Sequence, residues 1–102
     1  MSALPLRRDI TIVNPQGLHM RPATIFASRA GKFQSAVTLS KGEVRVNGKS
    51  PLELLFLAAE PGSVITLEVD GSDAAEAVET LSELLAAPSV DDMASSGPLP
   101  NA

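Results

Sequence analysis

The sequence predicts an α+β domain, an open-faced sandwich in which three helices cover one face of a four-stranded, mainly antiparallel sheet (chain order βαββαβα). Three observations carry this. Apolar residues alternate with polar ones in four short runs, and in other stretches they recur at spacings of three and four. Gly, Pro or Asn punctuates most of the junctions. The chain has 102 residues with a hydrophobic fraction of 44%, which suits a single core.

The first strand falls in residues 8–14, with Ile10 and Ile12 on one face and Asp9 and Thr11 on the other. Asn14-Pro15-Gln16-Gly17 is a turn, because Pro presets φ and Gly admits unusual backbone angles. A helix follows over residues 20–30. Ala23, Phe26, Ala27 and Ala30 share a stripe, Pro22 sits in the first turn where a missing N–H costs little, and Gly31 marks the stop.

Two short strands are expected at 36–40 and 43–46, joined by Lys41-Gly42, with Asn47-Gly48 turning the chain out of the second. Ser50-Pro51-Leu52-Glu53 then opens a short helix, with Ser as cap, Pro in the first turn and Glu completing a capping box. Glu60-Pro61-Gly62 ends it. Residues 64–70 form the last strand, Ile65, Leu67 and Val69 facing one way. After Gly71, Ser72 or Asp73 can cap a final helix whose stripe is Ala74, Ala77, Val78, Leu81 and Leu85, stopped by Pro88. The domain is expected to be residues 1–87. Residues 88–102, rich in Pro, Ser and Gly, read as a flexible C-terminal tail.

Composition narrows the function. The only aromatics are three Phe, which gives no stacking platform for single-stranded nucleic acid, and the net charge of −4 disfavours general nucleic-acid binding. There is no Cys and one His, so neither disulfides nor a thiolate or polyhistidine metal site is expected. No stretch approaches the roughly 20 apolar residues that span a bilayer, and residues 1–8 lack signal-peptide architecture. A cytoplasmic protein without membrane insertion is the expectation. All eight Lys and Arg lie in residues 1–49, against Asp9 and Glu43, while the remaining ten acids lie in residues 50–102. This hints at a basic face, or simply at a mixed solvated surface.

Chemistry concentrates in Gly17-Leu18-His19-Met20-Arg21-Pro22-Ala23. His19 falls at the predicted helix start, where the backbone amides of Met20 and Arg21 have no intrahelical acceptor and the helix dipole favours an anion by roughly 0.3–1 kcal/mol. A phosphoryl group on His19 meets those amides, and Arg21 can add a charge-assisted hydrogen bond. An unprotonated imidazole can attack phosphorus. A lone histidine at a helix start is nonetheless more often a cap or surface residue than a nucleophile. The residues alone point to an anion site and do not select phosphotransfer.

The same segment resembles the active-site signature G-[LI]-H-A-R-P-A of the HPr family, the histidine phosphocarriers of the bacterial sugar phosphotransferase system. Asn47-Gly48-Lys49-Ser50, followed by Pro51-Leu52-Glu53-Leu54-Leu55, resembles the family's second, regulatory segment. The likeness covers residues 5–87. It implies that His19 accepts a phosphoryl group on Nδ1 from phosphoenolpyruvate-dependent enzyme I and yields it to enzyme IIA domains, with Arg21 steadying the phosphate. It implies that Ser50, a helix cap first, is a target of HPr kinase/phosphorylase, and that Leu52 and Leu55 help form the partner surface. The chain is then a monomeric carrier acted on by enzymes, with no metal or cofactor of its own. Met20 replaces the usual Ala, and Pro51 a usually aliphatic residue. The chain runs past residue 87, so its terminal carboxylate is expected away from the site. Two alternatives share these residues: a regulatory binding module controlled through Ser50, and a nitrogen-branch phosphocarrier.

Overall fold

The apolar alternation organises one sheet. The computed structural model describes residues 5–95 and contains strands β1 (Leu6–Thr11), β2 (Ala36–Lys41), β3 (Val44–Asn47) and β4 (Val64–Asp70). Their order is β1-β4-β2-β3, and every neighbouring pair is antiparallel. Register places Ile10 opposite Ile65, Val37 opposite Val69, and Leu39 between Leu67 and Val46. Residues paired across a sheet share a face, so these side chains make one buried apolar floor.

Helices α1 (Met20–Ala30), α2 (Pro51–Leu55) and α3 (Ala74–Ala86) cover that floor. α1 buries the expected stripe of Ala23, Phe26, Ala27 and Ala30, together with Pro22. α3 buries its expected residues and also Ser82 and Leu84. Phe26, Leu54, Leu57 and Leu81 are sealed from solvent. Burial of each such side chain is worth about 1.5–3 kcal/mol relative to exposure. The other sheet face is polar: Thr66 Oγ1 donates to the Asp9 carboxylate at 2.7 Å, and Arg45 pairs with Glu68 at 3.2 Å.

Several boundaries differ from the sequence reading for identifiable reasons. β1 ends at Thr11, not residue 14, because its partner β4 begins opposite it at Val64. Ile12 still stays buried, exchanging backbone hydrogen bonds with Ser63 and Gly62 in the preceding turn. α2 stops after five residues, and the amides of Phe56, Leu57 and Ala58 continue in tighter bonds to carbonyls three residues back. Ser50 Oγ accepts from Glu53 N as expected. The reciprocal arm of the capping box is redirected: Glu53 Oε1 accepts from Asn47 N, while Ser50 N donates to the Asn47 carbonyl.

The predicted flexible tail needs correction. Residues Val90–Ser95 form a further helix, α4, and Met93 is buried in the core. Docking supplies apolar contact that local composition does not reveal. Residues 96–102 of that segment, and residues 1–4, lie outside the described residues.

Asp73 occupies the N-cap position of α3 but makes no side-chain cap bond. Its carboxylate instead accepts from Gln34 N, Ser35 N and Ser35 Oγ, tying the start of α3 to the entry of β2. The Ser35 hydroxyl first, then the Gln34 amide, hold its pKa below the usual carboxylate value. In the unfolded chain an Asp titrates near about 3.9. The stabilisation is therefore complete above that pH and is lost as pH falls through the lower folded value. Urea unfolding at a series of pH values should find wild type more stable than Asp73→Asn near neutrality, with the gap narrowing below about pH 3.9. A gap independent of pH would show that the charge on Asp73 contributes nothing.

Candidate functional site

The turn before α1 is built from the backbone outward. Gly17 N donates to the Asn14 carbonyl at 2.8 Å, and Gln16 N donates to Asn14 Oδ1 at 3.0 Å, which accounts for a buried Asn. Gly17 has φ +70°, and a Cβ there would lie 2.5 Å from the Ala59 carbonyl oxygen. That oxygen accepts from Leu18 N at 2.9 Å. The Leu18 side chain is buried in the same contact layer as Ile12, Pro22, Leu84 and Leu85. His19 thus leaves an anchored turn and becomes the N-cap of α1, extended at φ −98° and ψ −167°.

His19 caps through its backbone only. Its carbonyl accepts from Ala23 N at 2.9 Å, and its side chain makes no cap bond. The imidazole is half-buried. Nε2 is enclosed without a hydrogen-bond partner. Of the first three helical positions, Pro22 has no N–H, so the amides of Met20 and Arg21 are the ones aimed past the helix end. The first turn of α1 has no acidic residue to occupy them. Arg21 is exposed and, among the described residues, has no ion pair. The arrangement sets two unpaired amides and an exposed guanidinium beside the His19 ring, groups that can accommodate an anion.

Apolar surface flanks it. Met20 is 47% exposed, so the replacement of a small motif residue leaves the core undisturbed. On α2, which packs against α1, Leu52 is 66% exposed, while Leu55 is half-buried and leans on the core. Phe56, 71% exposed just beyond α2, was missed by sequence reasoning. Its signal was available: it stands four residues after Leu52, at the end of a helix too short to bury every apolar residue. Ser50 is half-buried at the start of α2, and Lys49 Nζ donates to the Phe33 carbonyl at 2.9 Å. A surface groove of about 620 Å³ beside Arg45, Asn47, Lys49 and Glu53 includes none of the residues around His19. Among the described residues no cluster of His, Cys, Asp or Glu could hold a metal, and no helix is long and apolar enough to cross a membrane.

Comparison with known proteins agrees with this geometry. A family model described as the PTS HPr component phosphorylation site matches residues 6–87. Phosphocarrier protein HPr of Neisseria meningitidis serogroup A is 46% identical over 80 residues, covering 78% of this chain and 90% of that protein. HPr of Cupriavidus necator is 43% identical over 81 residues, covering 79% and 91%. The crystal structure of HPr from Bacillus anthracis superposes with a TM-score of 0.77 at 32% identity, covering 81% of this chain and 99% of that one. The chain therefore belongs to the HPr family of phosphocarrier proteins of the phosphotransferase system.

Proposed function

We propose that His19 accepts a phosphoryl group through Nδ1 from enzyme I, itself charged by phosphoenolpyruvate, and passes it to enzyme IIA domains. The observation that carries this reading is the place of the ring at the α1 N-cap with Nε2 buried, which leaves Nδ1 as the nitrogen to meet a partner. The Nδ1 lone pair attacks phosphorus while the donor's N–P bond breaks and its electron pair returns to the donor nitrogen. The His19 proton stays on Nε2. Onward transfer repeats the step with the roles exchanged, so the chain is a carrier and its partners supply the catalysis. The incoming phosphoryl oxygens meet the amides of Met20 and Arg21 and the Arg21 guanidinium. These groups are exposed enough to hold the anion modestly, as onward transfer requires.

Docking in this reading uses Met20, Leu52 and Phe56, with Leu55 supporting them from below. The encounter is brief, and the protein acts as a cytoplasmic monomer. Regulation at Ser50 by HPr kinase/phosphorylase is a secondary reading, favoured by the position of this half-buried hydroxyl two residues before exposed Leu52. A phosphate there adds up to about two negative charges beside an apolar docking face without opposing the helix start.

Incubation with enzyme I and labelled phosphoenolpyruvate should give acid-labile, alkali-stable label on wild type and none on His19→Ala, with phosphorus bonded to Nδ1 by NMR. Label that survives His19→Ala overturns the assignment. Arg21→Ala should still be phosphorylated, with kcat/KM lower by roughly 10- to 100-fold, the worth of a charge-assisted hydrogen bond. Phe56→Ala combined with Leu52→Ala should raise KM for enzyme I by about tenfold with little change in kcat or thermal stability; an unchanged KM would place docking elsewhere. Ser50→Asp, which keeps a capping oxygen, should also raise KM if charge at this position disturbs docking.

A further inference from the structure

The turn that carries His19 is braced from outside its own segment. Leu18 N donates to the Ala59 carbonyl at 2.9 Å, and a Cβ on Gly17 would lie 2.5 Å from the same oxygen. The position of the Ala59 carbonyl therefore sets where the chain enters α1. On the C-terminal side of Ala59 a tight turn holds the chain. Glu60 N donates to Ser63 Oγ at 2.9 Å, Ser63 N to the Glu60 carbonyl at 2.9 Å, and Gly62 N to the Ile12 carbonyl at 2.7 Å.

On the N-terminal side stands Ala58, at φ +49°. Among the described residues it is the one residue other than glycine with a positive φ. It ends the tightened turn after α2, a place where glycine commonly closes a helix. A Cβ in this conformation carries a steric cost, and the conformation persists only where its surroundings hold it. Lys41, the last residue of β2, supplies such a hold: its Nζ donates to the Ala58 carbonyl at 3.0 Å. That carbonyl belongs to the peptide unit joining Ala58 to Ala59, one residue before the oxygen that receives Leu18. Lys41 is half-buried and pairs with Val44 across the tight turn between β2 and β3, so its stem starts from the sheet. A hydrogen bond from an ammonium is charge-assisted and stronger than a neutral one.

We propose that Lys41 is a positioning residue for phosphoryl transfer at His19. Its bond to the Ala58 carbonyl holds the left-handed turn that aims the Ala59 carbonyl at Leu18, and so fixes the imidazole at the α1 N-cap. Lys41 acts through Ala58, Ala59 and Leu18 and takes no part in bond making at phosphorus. The proposal rests on His19 being the phosphoryl acceptor.

The test compares full-length wild type, Lys41→Met, Lys41→Arg, and Lys41→Met combined with Ala58→Gly. Methionine keeps an unbranched apolar stem and removes the donor. NMR reads the coupling across the hydrogen bond from Leu18 N–H to the Ala59 carbonyl. Single-turnover transfer from phosphorylated enzyme I reads the maximal rate and the half-saturating concentration separately. Lys41→Met should weaken the coupling and lower the maximal rate by about two- to tenfold, the scale of one hydrogen bond, at an unchanged half-saturating concentration. Lys41→Arg, which keeps a charged donor, should restore both. Ala58→Gly should restore both without any donor at position 41, because glycine adopts a positive φ at no steric cost. Wild-type coupling and rate in Lys41→Met overturn the proposal. A raised half-saturating concentration with the Leu18 coupling intact also overturns it, since Lys41 would then be a docking charge. So does a defect that Ala58→Gly leaves in place. A wild-type chain that takes no label on His19 would overturn the reading of His19 and the positioning role with it, while the Leu18 coupling would still report whether Lys41 holds the turn.

Discussion

The close approach of Gly17 to the Ala59 carbonyl sets the site. A side chain at position 17 would overlap that oxygen, and the backbone there has a left-handed φ of +70° that glycine adopts without steric cost. The contact lets Leu18 N donate to Ala59 and turns the Leu18 side chain inward. One residue later the chain enters α1 with His19 as its cap. The receiving carbonyl is itself held in an unusual place. It follows the tightened end of α2, just after Ala58 at φ +49°. Two chain segments far apart in sequence thus lock each other, and the imidazole projects from the joint.

A phosphoryl carrier needs a site that is attractive but not too attractive. In the proposed reading, amides at a helix end, one exposed Arg and no acid in the first turn supply attraction. Solvent access limits it, because charges near water are screened. In the proposed reading, the enclosed Nε2 leaves Nδ1 as the nitrogen that meets the partner. The apolar residues Met20 on α1, Leu52 on α2 and Phe56 at the α2 C-cap stay outside the core, while Phe26 and Leu54 of those helices are buried.

The division of charge between the two halves of the sequence does not survive folding. β4, from the acidic half, lies between β1 and β2 from the basic half. Arg8 consequently meets Glu79 at 2.9 Å and Arg45 meets Glu68 at 3.2 Å, each pair joining the two halves. The Glu79 carboxyl is held low by its hydrogen bond from Arg8 and by that charge. Both pairs are surface interactions of small energetic worth. Arg21 takes part in neither pair.

Much of the architecture was legible along the chain. Period-four apolar spacing placed α1 at Met20–Ala30, and strict alternation placed β4 at Val64–Asp70. His19, Arg21 and the Ser50 cap were legible too, since a turn, a cap and a helix start are local signals. Strand order, the turning inward of Nε2, the diversion of Asp73 to Ser35, the exposure of Phe56 and the docking of α4 were not. Each of these depends on a partner distant in sequence. Periodicity reports which residues seek burial and which can cap a helix, and by itself the sequence determined that much. Which distant group each one meets is decided only when the sheet closes and the helices pack, because hydrogen bonds and apolar contacts form between whichever surfaces the fold brings together.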